Sequence, residues 1–172
     1  AVAAYDLARR RLSGRGAPAD PAAALALFER AAQLGERRAW RWLGELHEDE
    51  RGPAPDLARA VRFYELAAAT GDGKAMFKLA ELHERGRLPD ADPAVADAWY
   101  RLAAEHGYAR GAERAARLEQ RLDPAARRRA EQLAATWRPA GPARPAAAPG
   151  APADAGPVAA DAAPPGVAAG AR

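Results

Sequence analysis

The chain has 172 residues, 51 of them alanine, with no isoleucine and no cysteine. That length holds one domain, or one domain and a tail, and the missing cysteine excludes a disulfide framework, thiolate zinc sites and cysteine nucleophiles at once. The 26 basic and 23 acidic residues leave a net charge of +3, too small a surplus to argue for nucleic-acid binding even though 24 of the cations are arginine.

With alanine set aside, only 33 larger apolar or aromatic side chains remain in the chain. That is thin for a deep core and suits a fold whose core is one layer thick. No stretch approaches the roughly 20 apolar residues that span a bilayer. The first residue is Ala1 rather than Met, so the compartment stays open: export if a leader was removed ahead of Ala1, the cytoplasm otherwise.

The first predicted helix runs through Tyr5 and Leu7 and stops at the breaker run from Gly14 to Pro18. Asp20 then stands where an N-cap is wanted, its carboxylate accepting the free N–H groups of a first turn, and Pro21 follows at the N1 position. This second helix carries Phe28 and the pair Ala31-Ala32, and Gly35 closes it in the left-handed conformation that ends helices. A third helix shows Ala39, Leu43, Leu46 and His47 on one face at helical spacing and breaks at Arg51-Gly52-Pro53-Ala54-Pro55. The fourth, capped by Asp56, places Ala60, Phe63, Tyr64 and Ala67 together before Gly71. A fifth carries Ala75, Leu79, Leu82 and His83 as far as the break from Gly86 to Pro89. The sixth starts at Asp92-Pro93, carries Trp99, Tyr100 and Ala103-Ala104, and closes at Gly107.

These elements recur with a period of 36, as Leu7, Leu43 and Leu79, Asp20, Asp56 and Asp92, and Gly35, Gly71 and Gly107 show. Phe28, Tyr64 and Tyr100 keep an aromatic in the same register. Across residues 3–38, 39–74 and 75–110, nine of 36 positions are identical in all three copies without a gap. Five of those nine are alanine, which chance supplies in this composition, but the Leu, Asp and Gly matches are not.

After Gly107, the run Tyr108, Ala112, Ala115, Leu118 and Leu122 reads as the first helix of an incomplete fourth unit. Asp123-Pro124 opens a last helix with Ala126, Ala130, Leu133, Ala134 and Trp137 on its apolar face and Arg127-Arg128-Arg129 on its polar one, as a cap over 111–138 requires. Residues 139–172 contain only Ala, Pro, Gly, Val, Arg and Asp. They cannot bury enough surface to offset a backbone ordering cost of roughly 1 to 2 kcal/mol per residue, which predicts a disordered tail.

The copies resemble the Sel1-like repeat (SLR) family, a relative of the tetratricopeptide repeats. The residues that carry the resemblance are Ala39, Leu43-Gly44, Leu46-His47, Gly52, Asp56, Ala60, Phe63-Tyr64, Ala67-Ala68 and Gly71, with Ala75, Leu79-Ala80, Leu82-His83, Gly86, Asp92, Ala96, Trp99-Tyr100, Ala103-Ala104 and Gly107 one repeat later. The first copy departs from the pattern, with Arg10 and Arg11 in place of the Leu-His pair. The resemblance covers about residues 2–121 and implies an all-α, right-handed α-solenoid of helix-turn-helix repeats with a C-terminal capping helix. It also implies a non-catalytic interaction module, an adaptor or regulatory scaffold that holds a peptide or another protein in a concave groove. A monomer is expected, with no cofactor, no metal and no nucleic-acid partner.

By analogy with tetratricopeptide repeats, the groove positions would be Val2, Tyr5 and Arg9 in the first copy, Arg38, Arg41, Glu45 and Glu48 in the second, and Lys74, Phe77, Glu81 and Glu84 in the third. Tyr5, Trp42 and Phe77 are the aromatics that fall outside the repeat's core positions, which makes them candidate anchors, since aromatics and arginine dominate interface energetics. Packing against a neighbouring helix is the alternative for each. Arg38, Arg41 and Lys74 beside the acids make a mixed-charge surface that suits a peptide carrying both signs better than a phosphate backbone.

Two histidines one repeat apart, His47 and His83, invite a metal reading, but two imidazoles without a third ligand make a poor site. The resemblance places them where the family usually carries a tyrosine that packs between the two helices of a unit. His106, just before Gly107, suits a helix C-terminus. Glu45, Glu48 and Asp49, with Glu81 and Glu84, form an acidic ladder that reads more simply as a solvated helix face than as paired catalytic carboxylates. No phosphate-binding glycine loop or GxSxG is present, and Ser13, the one serine, has no histidine close in sequence. The alternatives are a repeat fragment or regulatory part of a larger enzyme or signalling protein, and a hydrolase of the family's cysteine-rich branch, whose defining cysteines this chain lacks.

Overall fold

A computed structural model describes residues 1–137. The tail expected over 139–172 lies outside the described residues. Among the described residues the fold is all-α, with eight helices and no strand: α1 Val2–Ser13, α2 Pro21–Gln33, α3 Arg38–Glu48, α4 Leu57–Ala68, α5 Gly73–Glu84, α6 Pro93–Glu105, α7 Arg110–Glu119 and α8 Pro124–Thr136. They form two compact units, Ala1–Ala67 and residues 68–137.

The starts and stops follow local chemistry. Asp20, Asp92 and Asp123 cap α2, α6 and α8, each accepting a first-turn N–H at 2.8–2.9 Å ahead of a proline at the first helical position. Asp56 does the same for α4 through Arg59 N–H at 3.0 Å. Gly35, Gly71 and Gly107 follow α2, α4 and α6 with φ of 88°, 85° and 83°, a backbone that a Cβ would strain. At Gly35 and Gly107 the turn closes with paired bonds, such as Tyr108 N–H to Ala103 and Gly107 N–H to Ala104.

In the first unit α2 packs on α1 and on α3. Phe28, Ala24, Ala31 and Ala32 of α2 are buried there, and alanine at three of those four positions lets the neighbouring helices approach closely. Within the α3–α4 hairpin, Leu43, Ala60, Phe63 and Tyr64 are buried. Gly44 belongs to this contact, because a Cβ there would lie 2.5 Å from the Tyr64 ring. Leu7 and Leu34 are the exposed leucines among the described residues, and Leu7 is the one at a repeat position. At 44% exposure it departs from its repeat equivalents Leu43 and Leu79, which are buried, and from the structural role expected of it. On α1 both Val2 and Leu7 meet solvent, although the same helix buries Tyr5 and Ala8.

In the second unit α6 is the central element, packed against α5, α7 and α8. Every residue from Ala94 to Tyr100 is buried. The capping helix seats Trp137 edge-on against Trp99 at 5.6 Å and His106 at 5.8 Å, and its Ala130 and Ala134 are buried. The arginine run of α8 is not simply a solvated face. Arg127 donates to the Leu122 carbonyl at 3.0 Å, and Arg129 pairs with the α6 cap Asp92.

Candidate functional site

The candidate surfaces are the first-helix faces, α1 and α3 in one unit and α5 and α7 in the other. In the first unit three aromatics close a triangle. The Tyr5 and Phe28 rings meet edge-on at 5.8 Å, Phe28 and Trp42 stack at 5.8 Å and 4°, and the Trp42 indole N–H donates to the Tyr5 hydroxyl at 3.0 Å. Tyr5 is only 5% exposed and Trp42 is half-buried. Of the two readings open for these candidate anchors, packing against a neighbouring helix holds for Tyr5, whose ring packs on Phe28, whereas Trp42 keeps part of its surface accessible.

Arginines lie over these rings. The Arg38 guanidinium sits 4.5 Å from the Tyr5 centroid, Arg41 sits 4.9 Å from Trp42, and Arg9 is 6.0 Å from Tyr5. Glu45 accepts from Arg41 at 2.9 Å, and Glu36 grips Arg38 through two bonds of 2.8 Å. That grip holds the Glu36 carboxyl below its usual range. Beside Trp42 a pocket of about 370 Å³ opens, bounded by Asp6, Arg9, Arg10, Leu12 and Arg15. It carries three guanidinium groups to one carboxylate.

In the second unit Phe77 is 4% exposed and held between Tyr100 at 5.0 Å and Tyr108 at 4.9 Å, so it too belongs to the core rather than to an open groove. Arg110 lies 5.2 Å from its ring centroid. The half-buried Lys74 and Lys78 share α5 with Glu81, which bonds Arg85 at 3.0 Å and lies 4.0 Å from Lys78. Glu84 accepts from Tyr100 at 2.6 Å and from Arg114 at 2.5 Å. Burial opposes its ionisation, but those two donors outweigh burial and keep the carboxyl below its usual range. In the first unit Glu48 accepts from Tyr64 in the same register at 2.6 Å. The acidic ladder is thus only partly a solvated face.

Both repeat histidines are buried. His47 stacks on Phe63 at 5.6 Å and its Nδ1 lies 2.7 Å from the Ala54 carbonyl, so a proton on that nitrogen ties the helix to the following loop. Desolvation lowers the His83 pKa against the opposing pull of Asp90 and Asp92. Among the described residues no cluster of three or more His, Cys, Asp or Glu is placed to hold a metal.

Sequence reasoning missed three acids. Glu36 and Asp72 each follow the closing glycine by one residue and stabilise the start of the next helix, Asp72 by accepting Ala75 N–H at 3.0 Å; that shared register was the available signal. Asp97 is fully buried, with Arg101 donating to it at 2.7 Å and bridging on to Glu119 at 3.1 Å. Its register holds Leu25 and Val61 in the other copies, so a carboxylate there stood out.

The repeat geometry has a direct counterpart in sequence: residues 1–36, 39–72 and 73–108 each match the Sel1 repeat. The chain belongs to the Sel1 repeat family. Sel1 repeat proteins are generally protein-interaction scaffolds and typically non-enzymatic. Among solved structures, the Sel1 chain is similar to a protective antigen of uropathogenic Escherichia coli strains that displays an SLR fold, at 33% identity and a TM-score of 0.59, over 64% of this chain and 24% of that one. It is also similar to a Sel1 repeat protein from Oxalobacter formigenes, at 25% identity and a TM-score of 0.62, over 76% of this chain and 55% of that one. The chain thus spans about a quarter and about half of the lengths of these two relatives. Comparison with curated proteins gives no match. No helix among the described residues is long and apolar enough to cross a membrane.

Proposed function

We infer that the chain is a non-catalytic protein-interaction module, an adaptor or regulatory scaffold, whose first-helix faces take a peptide or another protein. The observation that carries this reading is the pocket beside Trp42. It joins an accessible indole edge to the guanidinium groups of Arg9, Arg10 and Arg15, the residue types that dominate interface energetics. Arg38, Arg41, Glu45 and Glu48 extend the same face of α3, and Lys74, Glu81 and Glu84 give α5 its own mixed charge. An excess of cations at the pocket selects a partner segment rich in acids. Membership of the Sel1 family supports an interaction role over a catalytic one.

The test is selection of peptides from a displayed random library on the full chain, followed by affinity measurement on Arg9→Glu and Arg15→Glu variants. Both side chains are exposed, so the variants should melt within a degree or two of the parent. Selected peptides should be acidic and lose about ten-fold or more in affinity. Peptides that bind both variants as well as the parent would remove this face from the interaction.

A further inference from the structure

The same arginine-on-aromatic stack occurs once in each unit, at equivalent repeat positions. Arg38 lies over Tyr5 and Arg110 over Phe77, with centroid distances of 4.5 and 5.2 Å. In the first unit the outer edge of the guanidinium is occupied by the chain's own carboxylate. Glu36 accepts from Arg38 Nε and Nη2 at 2.8 Å each and from its backbone N–H at 3.2 Å. Such a two-point grip on a planar fork is the strongest arrangement an arginine makes with a carboxylate.

In the second unit the acid is missing. The repeat equivalent of Glu36 is Tyr108, whose ring packs on Phe77 and whose hydroxyl is 3.4 Å from Arg110 Nη1. The helix that Arg110 opens, α7, starts at Ala109 without a side-chain cap, whereas α3 is served by Glu36 and α5 by Asp72. Arg110 is exposed, and among the described residues it forms no ion pair; Glu113, one turn on, does not reach it. Arg114, the next cation on that face, is engaged by Glu84. What remains is a guanidinium restrained against an aromatic ring, beside a tyrosine, at the place where the first unit holds a carboxylate.

We propose that Arg110, stacked on Phe77 and flanked by Tyr108, is a docking point for a glutamate or aspartate side chain of an acidic partner peptide, which fills on Arg110 the place Glu36 fills on Arg38. This deepens the interaction reading by naming the partner's chemistry at a second surface, and it rests on that reading for its biological sense. A carboxylate is favoured over a phosphate because the occupant already seen on the equivalent stack is a carboxylate and because a single uncompensated cation faces the site.

The experiment uses the full chain labelled with 15N and follows the arginine Nε–H signals, with Arg110 and Arg38 assigned by their loss in Arg110→Gln and Arg38→Gln. The probe is a blocked peptide of alternating glutamate and leucine, and the control is its glutamine counterpart. The Arg110 signal should move with the acidic peptide alone while Arg38 stays still, and Arg110→Gln should weaken binding at least ten-fold. Tyr108→Glu should silence Arg110 by supplying the acid in cis. Tyr108→Gln, which loses the same ring without adding charge, should not. Glu36→Ala should make Arg38 responsive.

The proposal is overturned if Arg110 does not move, if the glutamine peptide moves it equally, or if Tyr108→Gln silences it as fully as Tyr108→Glu. Binding that is lost in Arg9→Glu but kept in Arg110→Gln also overturns this site, while leaving the interaction reading of the first unit standing.

Discussion

The Tyr64 hydroxyl donates to the Glu48 carboxylate at 2.6 Å, joining the second helix of its repeat to the last turn of the first. One repeat later Tyr100 makes the same bond to Glu84, again at 2.6 Å. Both rings are fully buried while both acids stay half-exposed, so the pair carries the hairpin from core to surface. Burial first, and then the neighbouring carboxylate, push each phenol well above its ordinary pKa, so the tyrosines donate throughout the working pH range. Removing the donor strands part of a charged acceptor's solvation. Tyr64→Phe and Tyr100→Phe should each cost about 1 to 2 kcal/mol in chemical denaturation with little change of helical content. A neutral result at both sites would make the contact incidental.

Phe77 separates a core role from a binding one. It is enclosed by Tyr100 and Tyr108 with Arg110 above it, and truncation would leave a cavity among rings that cannot all collapse inward. Phe77→Ala should cost about 3 to 5 kcal/mol, visible as a large fall in melting temperature, whereas Arg110→Gln should leave that temperature nearly unchanged. Comparable, small shifts in both would return Phe77 to the surface.

Much of this was legible in the sequence because the controlling interactions are local. A cap needs Asp two or three residues before its N–H, and a helix stop needs Gly; both lie within one turn of the groups they serve, so Asp20, Asp56 and Asp92 and Gly35, Gly71 and Gly107 could be placed from spacing. The anchors were not legible. Whether Tyr5 or Phe77 faces a partner or a helix depends on side chains more than 20 residues away, Phe28 for one and Tyr100 for the other. Leu7 failed for a related reason, since a repeat position is buried only where a neighbouring helix covers it. The open edge of Trp42 and the arginines around it likewise became a site only when α1 and α3 came together.

Asp97 is a carboxylate in an apolar register, and desolvation pushes its pKa up even though Arg101 and its hydrogen bond pull the other way. Its Oδ1 is buried without a hydrogen bond. A raised carboxyl pKa means that the folded state holds the proton more tightly than the unfolded chain, so stability declines as pH rises from about 4 through the folded pKa. At neutral pH the charge therefore weighs against folding. Arg101 would not be stranded by its loss, because it also bridges to Glu119. Asp97→Val, the residue type of the second copy, should raise stability by about 1 kcal/mol at pH 7 and less at pH 4. Destabilisation at pH 7 would show that the Asp97–Arg101 pair organises α6.

His83 gives the opposite pH dependence. Desolvation lowers its pKa despite Asp90 and Asp92, and its buried Nδ1 has no hydrogen-bond partner. The folded state keeps the ring neutral, whereas in the unfolded chain it takes a proton below its ordinary pKa of about 6.5. Stability is therefore complete above that pH and is lost as pH falls toward the lowered folded value, because the unfolded state binds the extra proton. His83→Phe keeps a ring of similar volume, removes the orphan nitrogen and abolishes the titration. The fall in melting temperature between pH 7.5 and pH 5 should be smaller in this variant than in the parent, with the two curves closest at the upper end or the variant above. Parallel curves across that interval would assign the acid sensitivity to other groups.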